Sequence, residues 1–188
     1  MDAALAAIRS GHAQMAGCCL AYLAWWAIFF WPKVGGQEAT GPLRYAGIAA
    51  IILAVITGAQ GATRIAQGAG ILAPPHAGII ALAGGIVLYM VLLFVTERLF
   101  SRVPTTELVL FCAWLALELF CAAGLAAQDR IASAALIAVL AAIGFFLSLV
   151  CYVKYYELAP LASFVCGCLP LAGIGIISLI IALAIQIV

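Results

Sequence analysis

The sequence predicts an all-α integral membrane protein, a bundle of six transmembrane helices with short loops, and three observations predict it. Hydrophobic residues make up 68% of the 188-residue chain and charged residues 8%, where a soluble domain carries roughly a quarter charged residues. Six apolar segments recur along the chain, each close to the ~20 helical residues that cross a bilayer's hydrocarbon core. The ten-residue alternating segments of a membrane β-barrel do not occur. Short connections leave no room for a separate soluble domain, so residues 1–188 read as one polytopic membrane domain.

Span one is expected over Ala13–Trp31. It ends in Trp25, Trp26, Phe29, Phe30 and Trp31 ahead of Pro32-Lys33, the composition of an interfacial aromatic belt. No small-x-small cleavage site follows, so this stretch reads as a membrane span and not a cleaved signal. Span two covers Tyr45–Ala66, after turn-forming Gly35-Gly36 and Gly41-Pro42. Its second half is polar and glycine-rich, with Gln60, Arg64 and Gln67 spaced i, i+4, i+7 on one helical face. Gly58, Gly61 and Gly68 read as positions where a neighbouring backbone comes close. Pro74-Pro75 closes the connection.

Span three is Ala77–Val95, ended by Glu97-Arg98 and Ser101-Arg102. Thr105 stands where an N-cap belongs and Glu107 falls in the first turn, where the helix dipole favours negative charge. Span four is Leu108–Ala127, followed by the turn Gln128-Asp129-Arg130. Span five is Ile131–Val153, and Tyr152, Lys154, Tyr155, Tyr156 and Glu157 form its interfacial anchor. Span six runs from Pro160 to Ile187 with Pro170 inside it, where a kink is expected. Cys19 to Phe30 aligns loosely with Cys112 to Ala123, and Ala77–Ile80 with Ala172–Gly175. Two three-helix halves, inverted in the membrane, are therefore an alternative description.

Orientation follows from basic residues in short loops. Arg9, Arg64 and Arg130 fall on the side of the N-terminus, while Lys33, Arg44, Arg98, Arg102 and Lys154 fall opposite. The bias places both termini outside, in a multi-pass protein of the cell membrane.

Candidate chemistry centres on Glu118, in the middle of span four. A carboxylate at that depth normally faces a bundle interior or a wet cavity. Glu107, Phe111, Trp114, Glu118 and Cys121 form one stripe at helical spacing, which reads as the lining of a polar path. There Glu118 would bind a cation, a proton or a polar group of a substrate, or else hold two helices together as a hydrogen-bonding structural group. Gln60 is expected as its partner ahead of Arg64, whose side chain is expected to snorkel to the interface. Substrate or ion path residues are thus Glu118, Gln60, Arg64, Gln67 and Trp114.

His12 and His76 precede spans one and three and read as solvated loop residues. With Asp129 they lack the fixed spacing of a metal site, so no metal and no cofactor is expected. All seven cysteines lie inside apolar spans and read as small packing residues, outside any disulfide framework. Net charge is +1, and no basic run exists to track phosphates, so nucleic acid is excluded as a partner. No nucleotide loop, zinc-protease or nucleophile-elbow motif occurs, so catalytic residues are not assigned and a non-enzyme is favoured.

The function expected is binding or transport of a small solute or ion through a polar path between spans two and four. Alternatives are a membrane-embedded enzyme acting on a lipid or quinone, and an accessory subunit of a membrane complex. Spans five and six, nearly free of charge, would offer surfaces to lipid, a partner helix or a second copy.

Overall fold

The structure, a computed structural model, describes residues 2–71, 77–101, 103–155 and 160–185. Pro74, Pro75, His76, Arg102, Tyr156 and Glu157 lie outside the described residues. Among the described residues six helices follow in order: α1 (Ala3–Val34), α2 (Pro42–Gly68), α3 (Ala77–Phe100), α4 (Thr106–Ala126), α5 (Ile131–Tyr155) and α6 (Pro160–Ala184). All six contain segments long and apolar enough to cross a membrane, and no strand occurs among the described residues. The chain is a polytopic, all-helical membrane protein.

The largest departure from expectation is the start of α1. It begins at Ala3, ten residues before the apolar run, because Asp2 caps it. The Asp2 carboxylate accepts from the Ala4 backbone N–H at 3.2 Å, satisfying one of the orphan donors of the first turn. Its 32 residues extend about 48 Å at 1.5 Å per residue, longer than the ~30 Å hydrocarbon core. Arg9, Ser10 and His12, which precede the expected span, are consequently helical residues. The expected cap of α4 is present: the Leu108 N–H donates to the Thr105 hydroxyl at 3.2 Å. Pro170 lies within α6, which continues through it from Pro160 to Ala184.

α1 and α2 form a tightly packed antiparallel hairpin. On α2 the buried residues Gly47, Ala54, Gly61 and Gly68 recur every seven positions, the repeat that keeps one seam facing a partner helix. The seam is set by absent side chains. A Cβ on Gly61 would stand 2.8 Å from the Gly11 carbonyl oxygen, and one on Gly68 would stand 2.6 Å from that of Ala4. Backbone contact of this kind supplies the van der Waals packing that drives helix association in lipid, where apolarity alone does not.

α6 packs on α1 and α5, α4 packs on α5, and α3 has α4 as its chief neighbour. The main core joins Ile8 and Cys19 of α1, Ile65 of α2, Phe111, Trp114, Cys121 and Leu125 of α4, Ile137 and Ala141 of α5, and Ile174, Ile177 and Ile181 of α6. A second cluster at the other end gathers Tyr22 and Trp26 of α1, Ala54 of α2 and Leu171 of α6. Trp26, expected in an interfacial belt, is buried. Its ring stacks on Phe30 at 3.8 Å between centroids, and its indole N–H donates to the Phe164 carbonyl at 3.1 Å. Trp31 is the belt-like residue, more than half exposed.

Candidate functional site: a buried histidine–glutamate pair

The stripe on α4 faces inward. Leu108, Phe111, Trp114, Glu118, Cys121, Ala122 and Leu125 are its buried residues, the period expected of one helical face in a bundle. Glu118 is fully buried, and so is His12 of α1. His12 Nε2 lies 3.0 Å from Glu118 Oε2. The expectation of a solvated loop histidine is therefore corrected. α1 starts early enough to carry His12 about 14 Å in from its first residue, and Glu118 lies about 12 Å from the end of α4 on the same side, at 1.5 Å per residue. The two side chains meet because their depths match.

Hydrogen bonding fixes how the protons are arranged. His12 Nδ1 lies 2.8 Å from the Ile8 carbonyl oxygen, one turn earlier on the same helix. A carbonyl oxygen only accepts, so Nδ1 carries a hydrogen and Nε2 is left to face the carboxyl group. One proton then occupies the Nε2–Oε2 contact. On Nε2 it makes an imidazolium–carboxylate pair; on Oε2 it makes a neutral imidazole accepting from a carboxylic acid. Both forms have zero net charge, which suits a water-excluded site where an unpaired charge is expensive. Moving the proton between them changes no net charge, whereas adding or removing one charges the site.

Gln14 Oε1, Glu118 Oε1, Trp114 Nε1 and Ser178 Oγ are buried without a hydrogen-bond partner among the described residues. Buried polar groups nearly always have one, and each exception asks for a reason. Trp114 stands one turn before Glu118 on the same face of α4, and Ser178 comes from the inner face of α6.

The polar face of α2 points elsewhere. Gln60, Arg64 and Gln67 are exposed, because the adjacent face, about 100° round the helix and carrying Gly61, Ile65 and Gly68, is committed to α1. Gln60 is joined to Gln14 of α1, whose Nε2 stands 3.5 Å from Gln60 Oε1. Glu118 thus pairs with α1 and not with Gln60, and the buried polar atoms line α1, α4 and α6 instead of a seam between α2 and α4. Of the expected path residues the structure brings Glu118 and Trp114 together, and it separates them from the other three.

Sequence reasoning missed His12. Its signal was there in Asp2, a good N-cap, and in Ile8, His12, Met15 and Cys19 at i, i+4, i+7, i+11. Among the described residues no group of three histidine, cysteine or acidic side chains could hold a metal ion, and His76 lies outside them. No family, curated protein or solved structure matches this chain.

Proposed function

We propose that this protein binds or transports a small solute or ion in the membrane, and that the His12–Glu118 pair is its proton-holding element. The observation carrying the reading is a fully buried histidine–glutamate contact at 3.0 Å, beside a carboxyl oxygen that no other group engages among the described residues. A buried ion pair is weak grounds for stability, since apolar residues of similar volume often serve as well. Ionisable groups at membrane depth more commonly mark ion pathways and proton relays. Oε1 is the place where a second proton, a cation or a solute's donor group would be met. The outward polar face of Gln60, Arg64 and Gln67, running from the level of His12 towards the start of α1, supports an approach from that side of the membrane.

The same reading places the chain in the cell membrane with both termini outside, supported by the basic residues of the Lys33 side. Outward apolar residues of α5 and α6, including Ile143, Phe146, Ile176 and Leu183, support contact with lipid, a partner helix or a second copy.

Flux in proteoliposomes tests the proposal. With an entrapped pH dye, the wild-type chain is screened against inorganic cations and small organic solutes. Solute-dependent proton movement is expected, and Glu118→Gln abolishes it while the variant remains folded. Glu118→Gln with unchanged flux would take the pair out of the mechanism and leave it as a helix-to-helix lock.

A further inference from the structure

A cavity of about 390 Å³ opens at the opposite end of the bundle, within the 300–1,000 Å³ range of small-molecule sites. Four helices build it: the last turns of α1, the first turns of α4, the last turns of α5 and the first turns of α6. Its walls include Trp26, Phe30, Tyr152 and Phe164, and its charged lining groups are Lys33 and Glu107. It is distinct from the buried pair. Glu107 precedes Glu118 by eleven residues on α4, about 16 Å along the axis, and Lys33 follows His12 by twenty-one on α1, about 31 Å, at 1.5 Å per residue.

Its chemistry divides into two parts. Aromatic and aliphatic walls accept an apolar body. At the level of the helix ends, where a membrane meets water, stand one cation and one anion. The Lys33 ammonium sits 4.8 Å from the centroid of the Phe30 ring, held by the ring's negative face. Lys33 and Glu107 line the same cavity, yet they form no ion pair with each other or with another described residue. Two opposite charges left apart in one cleft match a ligand that itself carries both signs, since each then finds a partner where water is partly excluded.

We propose that this cavity binds a zwitterionic amphiphile, its primary ammonium on Glu107, its phosphate or carboxylate on Lys33 and the start of its apolar chain between Trp26, Phe30 and Phe164. A whole phospholipid exceeds the cavity, so the buried part is the headgroup and the first stretch of one chain. An aminoethyl-phosphate lipid headgroup and a free aminoalkyl phosphate share this chemistry.

The test uses the full chain in detergent and native mass spectrometry, with three probes. These are a short-chain phosphatidylethanolamine, a phosphatidylglycerol of the same chains, and free phosphoethanolamine. The ethanolamine lipid is expected to bind at least ten-fold more tightly than the glycerol lipid, and Glu107→Gln to erase that preference. Lys33→Gln is expected to weaken the ethanolamine lipid by a similar factor. Ser163→Phe adds bulk to the exposed lining of the cavity while both charged residues are kept, and should lower occupancy in a chain of unchanged helicity. Binding of free phosphoethanolamine as tight as that of the lipid would keep the Lys33–Glu107 charge recognition, overturn the apolar-chain contact and assign the occupant to the aqueous phase. Equal binding of both lipids, or an ethanolamine preference that survives Glu107→Gln, would overturn the proposal.

Discussion

α3 and α6 are close in length and both strongly apolar, yet they end up differently placed. α6 buries Gly167, Pro170, Leu171, Ile174, Ile177, Ser178, Ile181 and Ala182. Along 83–100 of α3 only Thr96 is buried, while Ile86, Val87, Tyr89, Met90, Phe94 and Leu99 are exposed. Hydropathy does not separate the two, and in lipid it has no reason to, because acyl chains are as apolar as leucine. Their small residues do. Trp26 lies over Gly167, and Cys19 lies against Gly175, whereas Gly84 and Gly85 of α3 have nothing within 4 Å of where a side chain would begin. Polar groups set α3 apart from the inner helices as well: the Thr96 hydroxyl donates to the Leu92 carbonyl of its own helix at 2.8 Å, while His12 of α1 and Glu118 of α4 bond across two helices.

The cross-helix pair should therefore be the most sensitive point in the molecule. Glu118→Ala leaves His12 Nε2 buried without a partner, and removal of one member of a buried pair typically costs 3–5 kcal/mol. Glu118→Gln keeps a hydrogen bond to the ring and should cost only about 1 kcal/mol. Reversible unfolding in detergent, followed by circular dichroism, measures the difference. A similar small loss for both variants would mean that the pair contributes no more than the ~0.6 kcal/mol average for polar contacts between membrane helices.

Next in size is Gly167→Leu, which drives atoms into the Trp26 indole. Overpacking of this kind costs about 1–3 kcal/mol, and here it should also break the Trp26–Phe164 hydrogen bond. A red-shifted, more quenchable tryptophan emission would report the displaced ring. Unaltered emission and stability would show that α6 is held elsewhere along its length.

How far these features were legible in the sequence depends on what signals them. The six spans were legible because a bilayer imposes length and apolarity on every helix that crosses it. Glu118 was legible because an acid stands out in Leu108–Ala127, and the stripe with Phe111, Trp114 and Cys121 follows from helical period alone. Its partner was not, for two physical reasons. Arg9, Ser10 and His12 make the start of α1 look like a loop to any hydropathy reading, although a helix tolerates them. The choice between Gln60 and His12 depends on which face of α2 turns inward, and that is decided by Gly61 and Gly68 meeting the backbone of α1. Polarity on one face and glycine on the other are both visible in α2. Which of them wins is a question of packing.

A smaller effect is expected at the loop between α4 and α5, where Arg130 pairs with Asp2 and ties the start of α1 to the far end of α4. Both groups are partly exposed, so Arg130→Gln should cost no more than about 1 kcal/mol, less at high salt. Its sharper readout is amide exchange in the first turns of α1. Faster exchange over residues 3–8 with an unchanged Glu118 environment would show that the ion pair secures the helix end alone.

The smallest expected effect tests the outward helix directly. Gly84→Leu and Gly85→Leu add side chains where the structure offers open space, so each should change stability by less than about 0.5 kcal/mol in detergent, as surface substitutions usually do. The same variants in bilayers distinguish the two things that can cover such a face. Against lipid, a leucine replaces one apolar contact with another and stability stays flat. Against a second copy of the chain, an added side chain at a small-residue position holds the two backbones apart, and a loss of 1 kcal/mol or more, dependent on protein-to-lipid ratio, would follow. That dependence would move α3 from the category of a loosely held helix to that of an interface, and the contrast with α6 would become one between packing within a chain and packing between chains.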